Sequence, residues 1–245
     1  MKKITALLLV LVMVFAFAAC GGTTDPTEPT TTPTNPTNPS EPTVTVMTFA
    51  EYAAAADGTE VVVETYVQAT QSWWDNKITV YCQGPDGAYF AYNMACSEED
   101  AAKLTEGKKI RITGTKATWD GEVEITDATF EFVDGEPFVA TAFDATALLG
   151  TDDLIKHMNE KVIFEGLTVK AIEYKNGEPG DDIYLTLSKD GKDYSFCVEV
   201  YLTGTDSDVY KAVDALSVGN VVNVAGFLYW YNGANTHITN IVPAK

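Results

Sequence analysis

GKKIRITGTKATWDG, residues 107 to 121, has a counterpart in the same chain, GNVVNVAGFLYWYNG, residues 219 to 233. Each copy opens on a glycine, carries a second glycine seven positions later, and closes on an aromatic residue followed by Asp-Gly or Asn-Gly. Between the glycines, apolar residues alternate with others, as in a strand with one buried face. The closing pair suits a tight hairpin turn. A long motif repeated once predicts two copies of one small domain, with each motif supplying a late hairpin.

Upstream of the first copy, TFAE (Thr48 to Glu51) predicts a capping box for a short Ala-rich helix. EVVVETYVQATQSWW (60–74) reads as a long strand, and KITVYCQ (77–83) and AYFAYNM (88–94) as a hairpin around GPDG. SEEDAAKLTEG (97–107) predicts a short helix capped by Ser97, after which EVEITDATFEF (122–132) follows the repeated motif. The second half repeats the order. A polar-capped segment, Thr151 to Met158, precedes EKVIFEGLTVKAIEY (160–174), and a hairpin turns at Asp190-Gly191. Val209, Ala212, Val213 and Leu216 then fall at helical spacing, and NTHITNIV (235–242) closes the chain. Leu104 and Leu216 each stand three residues before the first glycine of their copy.

The start differs in kind. MKKITALLLVLVMVFAFAA (1–19) has two lysines, an apolar run and small residues before Cys20, the pattern of a secretory leader. Residues 20–46 are rich in Thr, Pro, Asn and Ser and have too little apolar surface to order themselves, which predicts an extended spacer. The expected division is therefore leader 1–19, linker 20–46, first domain 47–135 and second domain 136–245. Sixteen Lys and Arg against 35 Asp and Glu give a net charge of −19. Nucleic-acid affinity rests largely on neutralising phosphates, so this balance leads the sequence reading to disfavour nucleic acid as a partner.

Three strands, a helix, then two strands, twice over, resembles the OB-fold, a five-stranded Greek-key barrel. The fold class implied is mainly β: two tandem five-stranded OB-fold-like barrels, each with a short helix between strands three and four. An SH3-like or lipocalin-like pair is the competing fold, though neither normally has a helix there. FAAC (Phe17 to Cys20) is similar to a bacterial lipobox, and the whole resembles tandem OB-fold lipoproteins of Gram-positive bacteria. That resemblance implies export, lipid on Cys20 and attachment to the outer face of the cell membrane.

OB-folds bind ligands across strands two and three and the loops joining strands one to two and four to five. Those loops hold Trp73, Trp74 and Trp119 in the first half and Tyr174, Tyr229, Trp230 and Tyr231 in the second. With Val61, Val63, Ile78, Val80, Phe90 and Tyr92 assigned to the barrel interior, Tyr66, Tyr81 and Tyr89 are expected outside, as an aromatic platform. These ten aromatic residues are the candidate ligand-binding set. Packing over the barrel ends or between domains is the competing fate.

No sequence signature of a hydrolase, zinc protease or P-loop is present, and the two histidines, His157 and His237, have no partner motif. The acidic strings at Glu98 to Asp100 and Asp152-Asp153 suit helix starts, and NGEPGDD (176–182) lacks the spacing of a calcium loop. No catalytic residue, metal or cofactor is therefore assigned. Cys82, Cys96 and Cys197 are expected as buried thiols, because a turn near Pro85-Asp86 sets Cys82 opposite Tyr89. The expected function is a non-catalytic, membrane-anchored binding module for a cell-wall glycan or an envelope protein. The alternatives are an envelope-assembly adaptor with aromatics at the inter-domain contact, and single-stranded nucleic acid binding.

Overall fold

The computed structural model describes residues 45–244. The expected leader, Cys20 and nearly all of the 20–46 spacer lie outside the described residues. The β-rich runs of the first half become β1 (Glu60–Thr70), β2 (Lys77–Gly84), β3 (Gly87–Ala95), β4 (Lys109–Trp119) and β5 (Glu122–Phe132). They close a barrel in the order β1-β2-β3-β5-β4. All neighbours are antiparallel except β3 and β5, which meet in parallel at Ala91 and Ile125. A five-stranded ring with this crossover is an OB-fold.

The second half forms a mixed sheet from β6 (Phe143–Asp144), β7 (Lys161–Tyr174), β8 (Ile183–Lys189), β9 (Lys192–Val198), β10 (Val221–Phe227) and β11 (Asn235–Pro243). Its order is β10-β11-β9-β8-β7-β6, and β10 also pairs with β7. The β9 and β11 strands run parallel, as β3 and β5 do. Short helices are α1 (Phe49–Ala54), α2 (Glu98–Ala101), α3 (Val200–Thr203) and α4 (Asp208–Asp214). The segment expected to be polar-capped at 151–158 contains a 3-10 turn, Leu154–His157, with no side-chain cap.

The repeated motif has a direct backbone cause. Its first glycine, Gly107 or Gly219, takes a left-handed φ of 84° or 92° where the chain turns into β4 or β10. Its second sits where the hairpin register slips, between Thr113 and Thr115 in β4 and between Ala225 and Gly226 in β10. There the neighbouring strand is so close that a Cβ on Gly114 would stand 2.8 Å from Thr126 O, and one on Gly226 2.1 Å from His237 O. Only glycine permits that approach, and the bulge bends both strands into a curve.

Local signals act as read. Thr48 and Glu51 form a reciprocal capping box on α1, with Thr48 N donating to Glu51 Oε2 at 2.7 Å. The carbonyls at the far end of α1 are taken by Lys116 Nζ, which donates to Tyr52, Ala53 and Ala55 O at 2.7 to 3.0 Å. Ser97 caps α2, and Ser207 caps α4, whose Val209 and Val213 enter the second core. Cys82, Cys96 and Cys197 are buried free thiols.

Two cores result, one inside the barrel around Val61, Val63, Val80, Ile110 and Ile112, the other against the second sheet around Phe164, Leu167, Leu185 and Phe196. A third cluster joins them: Tyr81 and Phe90 from the barrel exterior with Phe227, flanked by Tyr229. The Tyr81 and Phe227 rings stack at 4.7 Å. Polar ties run beside them, from Lys161 N to Gln83 Oε1 at 2.8 Å, Trp230 N to Glu122 Oε2 at 2.8 Å and Asn232 N to Asp120 O at 2.7 Å. The described residues, 45–244, accordingly belong to one compact unit.

Candidate functional site

Alternation along β8 and β9 decides what faces outward from the second sheet. Ile183, Leu185 and Leu187 are buried in its core, so Tyr184 and Thr186 point away; Phe196 and Val198 do the same for Ser195 and Cys197. The β10–β11 connection rises over this face with Tyr229 and Tyr231, and the barrel brings Phe90 and Tyr92 from β3 and Trp119 from the end of β4. Together with Gln71 and Tyr201 these groups wall a cleft of about 800 Å³. Tyr92, Trp119, Tyr184, Tyr201 and Tyr231 are each between 40% and 60% exposed. That is unusual for five large rings bordering one cleft, since isolated exposed rings are common and contiguous ones mark binding sites.

Trp119 and Tyr231 lie 5.4 Å apart at a 36° tilt, holding one lip. Tyr229 stacks on His237 at 4.2 Å, and Phe90 meets Tyr229 edge-on at 5.3 Å, forming the floor. Burial pushes His237 down to about 3, so the ring is neutral. Its Nδ1 then accepts from the Tyr81 hydroxyl at 2.6 Å, while Gln71 Nε2 donates to the same hydroxyl at 3.2 Å. A second hollow of about 370 Å³, lined by Trp74, Lys77 and Asn93, shares Gln71, Tyr92 and Tyr201 with the cleft and lengthens it.

The charged lining is mostly acidic: Glu173, Asp182 and Glu199 with Lys175. Lys175 Nζ is already engaged, at 2.9 Å from Asp182 and 3.4 Å from Asp181. Asp182 also accepts Val200 N at 2.9 Å. Glu199 caps α3 by accepting Leu202 N at 2.9 Å, and burial together with the Asp182 charge pushes it up to about 7. Outside the cleft lining, the buried carboxyl of Glu122 accepts Trp230 N at 2.8 Å. Burial pushes it up to about 8.

The ten expected residues divide. Trp119, Tyr229 and Tyr231 line the cleft, and Trp74, 79% exposed, lines the adjoining hollow. Trp73 turns inward against the barrel core and donates Nε1–H to Cys96 O at 2.9 Å. Trp230 packs against the second core, and its ring so crowds Gly121 that a Cβ there would stand 2.7 Å from Cδ1. Tyr174 donates its hydroxyl to Asp214, and Tyr66 packs on Phe138 at 5.3 Å.

The platform of Tyr66, Tyr81 and Tyr89 is corrected: Tyr81 and Tyr89 are both buried, and for opposite reasons. The β2–β3 register pairs Cys82 with Tyr89 and Tyr81 with Phe90. Paired residues share a face, so Tyr89 follows Cys82 into the barrel while Phe90 and Tyr92 stand outside, reversing the expected side of β3. Tyr81 is outside the barrel, but the second half covers it. Tyr92, Tyr184, Tyr201, Glu173, Asp182 and Glu199 were not among the expected residues. Period-two alternation in DIYLTLS carried the signal for Tyr184; nothing local marked Tyr201.

No protein-family model matches the chain, and no curated protein matches it. Solved structures do. One titled a murine DNA-binding protein bound with double-stranded DNA matches at 10% identity and a TM-score of 0.35, covering 75% of this chain and 96% of its own. The Ifi202 HINa domain in complex with 20-base-pair double-stranded DNA matches at 12% identity and 0.34, covering 75% and 96%. A replication protein A heterotrimer bound to single-stranded DNA matches at 13% and 0.31, covering 79% and 51%. These named neighbours are DNA complexes, so the expectation of a glycan or protein ligand and the disfavouring of nucleic acid are both corrected. Likeness of this size assigns a role to no residue.

Proposed function

We propose that the chain is a tandem OB-fold binding protein, without catalysis, that takes a small organic ligand in the aromatic cleft on the β8–β9 face. The pairing of β10 with β7 returns the second sheet to its start, giving the ring order β7-β8-β9-β11-β10 that mirrors the first barrel. In this reading α2 and α4 are the equivalent helices, and the domains divide near residues 47–135 and 136–245. The β8–β9 face and the β10–β11 loop are then strands two and three and the four-to-five loop, where OB-folds recognise ligands. The observation that carries the reading is the convergence of five exposed rings on this one face. The leader and FAAC pattern support export and lipid attachment at Cys20, which mass spectrometry of the mature amino terminus tests directly.

The binding reading is tested on ¹⁵N-labelled full chain in detergent, by adding mixtures of small organic solutes and following the Trp119 indole signal. Selective movement of Trp119, lost in Tyr184→Ala, is the expected result. Solutes that move Trp74 alone, or no indole, overturn it.

Single-stranded nucleic acid is the second reading, favoured by rings able to stack on bases at about 1–3 kcal/mol each. With Glu173, Asp182 and Glu199 at the cleft, such a strand would lay bases inward and keep its phosphates in solvent. Titration with an oligothymidylate distinguishes it.

A further inference from the structure

The cleft has a sign as well as a shape. Three acidic side chains border it, Lys175 on its lining is held by two aspartates, and aromatic rings line its walls. Aromatic faces are negative at their centres and attract ammonium groups, most strongly where water is partly excluded. Carboxylates bordering the same space attract the same ligand and repel anions. We propose that the ligand of this cleft is a linear aliphatic polyamine, its methylenes lying on the rings and its ammonium groups directed at Glu199 and Glu173.

Shape favours a chain over a compact cation. The cleft runs on past Gln71, Tyr92 and Tyr201 into the hollow that holds Trp74 and Lys77, so rings occur along its length rather than around one point, and the ammonium groups of a bound chain belong beside Glu199 and Glu173 rather than beside Lys77. Tyr184 on β8, Tyr201 on α3 and Tyr92 on β3 come from separate elements, each fixed by its strand or helix. Among the carboxylates, Asp182 is spent on Lys175 and the α3 backbone. Glu199 accepts Leu202 N and has no cationic side chain bonded to it among the described residues, and burial together with the Asp182 charge raises its affinity for a proton, an imbalance that an added cation relieves. Glu173 is exposed at the rim.

This inference rests on the cleft being a ligand site, and the test separates the two. Isothermal titration of the full chain in detergent uses three probes: spermidine, triethylene glycol as an uncharged chain, and an oligothymidylate. Each is repeated on Glu199→Gln, Tyr184→Ala and Trp119→Ala, with circular dichroism to show that every variant is folded. Spermidine binding that falls about tenfold or more in Glu199→Gln and also falls in Tyr184→Ala is the expected result. Spermidine binding unchanged by Glu199→Gln, and weakened only by salt, assigns it to the general negative charge and overturns the inference. Triethylene glycol or the oligothymidylate binding in a Trp119-dependent way, with spermidine inert, overturns the polyamine and keeps the cleft. If no probe binds, both the polyamine and the cleft as a ligand site fall.

Discussion

The two halves present the same face to different fates. On the barrel, the outward residues of β2 and β3, Tyr81 and Phe90, are sealed under Phe227 and Tyr229. On the second sheet, the outward residues of β8 and β9, from Tyr184 to Ser195, border an open cleft. One copy of the face has become a joint and the other has stayed a surface. The difference follows from side chains: the barrel offers two large apolar or stackable rings at adjacent paired positions, while β9 offers only Ser195 and Cys197 opposite Tyr184 and Thr186. An interface forms where buried ring area is greatest.

The comparison breaks most visibly at Phe227. Phe227→Ala removes a fully buried ring that stacks on Tyr81, and urea unfolding is expected to show a loss of about 3 kcal/mol. Tyr184→Ala, on the open face, is expected to change stability by less than about 0.5 kcal/mol. Equal losses would mean that both faces are structural.

Glu122 sharpens the joint through pH. Its folded value of about 8 exceeds the ordinary carboxylate value of 4.5 because of burial, so the folded state holds a proton that the unfolded state has released. Its contribution to stability is complete below pH 4.5 and is lost as pH rises towards 8. The proton supplies one donor at a place where Glu122 Oε1 and Asn159 Oδ1 are buried acceptors without partners. Glu122→Gln is expected to flatten this dependence and to stabilise the protein at pH 8 and above by about 1–3 kcal/mol, read from unfolding curves across pH.

His237 carries the opposite slope. With a folded value of about 3 it stays neutral while the unfolded chain protonates near 6.5, so stability falls as pH drops from 6.5 towards 3. Tyr81→Phe removes the hydroxyl that its Nδ1 accepts, and about 1–2 kcal/mol should be lost at neutral pH. The loss should stay the same between pH 7 and pH 5, because burial rather than this bond keeps the imidazole neutral.

What the sequence disclosed was backbone chemistry. The paired glycines 107/114 and 219/226 named the same bulged hairpin twice because the first of each pair takes a left-handed φ and the second admits a Cβ-excluding approach, and Asp120-Gly121 and Asp190-Gly191 named their turns through positive φ at both residues. What it concealed was which outward face would be covered. Tyr81 and Tyr184 look alike in a one-dimensional alternation, and only Phe227, distant in sequence, distinguishes them. The side taken by Tyr89 was within reach, since pairing it with the inward Cys82 already put it inside the barrel.

The smallest expected effect tests the open face from the barrel's side. Trp119 ends β4, is 52% exposed, and touches the second half through Tyr231 alone among the aromatic pairs. Were it part of the joint, removing so large a ring would cost several kcal/mol, as core truncations do. As a wall of the cleft it should cost almost nothing. Trp119→Ala is therefore expected to leave the unfolding midpoint within about 0.5 kcal/mol of the parent, while removing the emission component most accessible to a neutral quencher after that of Trp74. A larger loss would move Trp119 into the joint and leave the cleft with one lip, which is too little aromatic wall to orient a ligand chain.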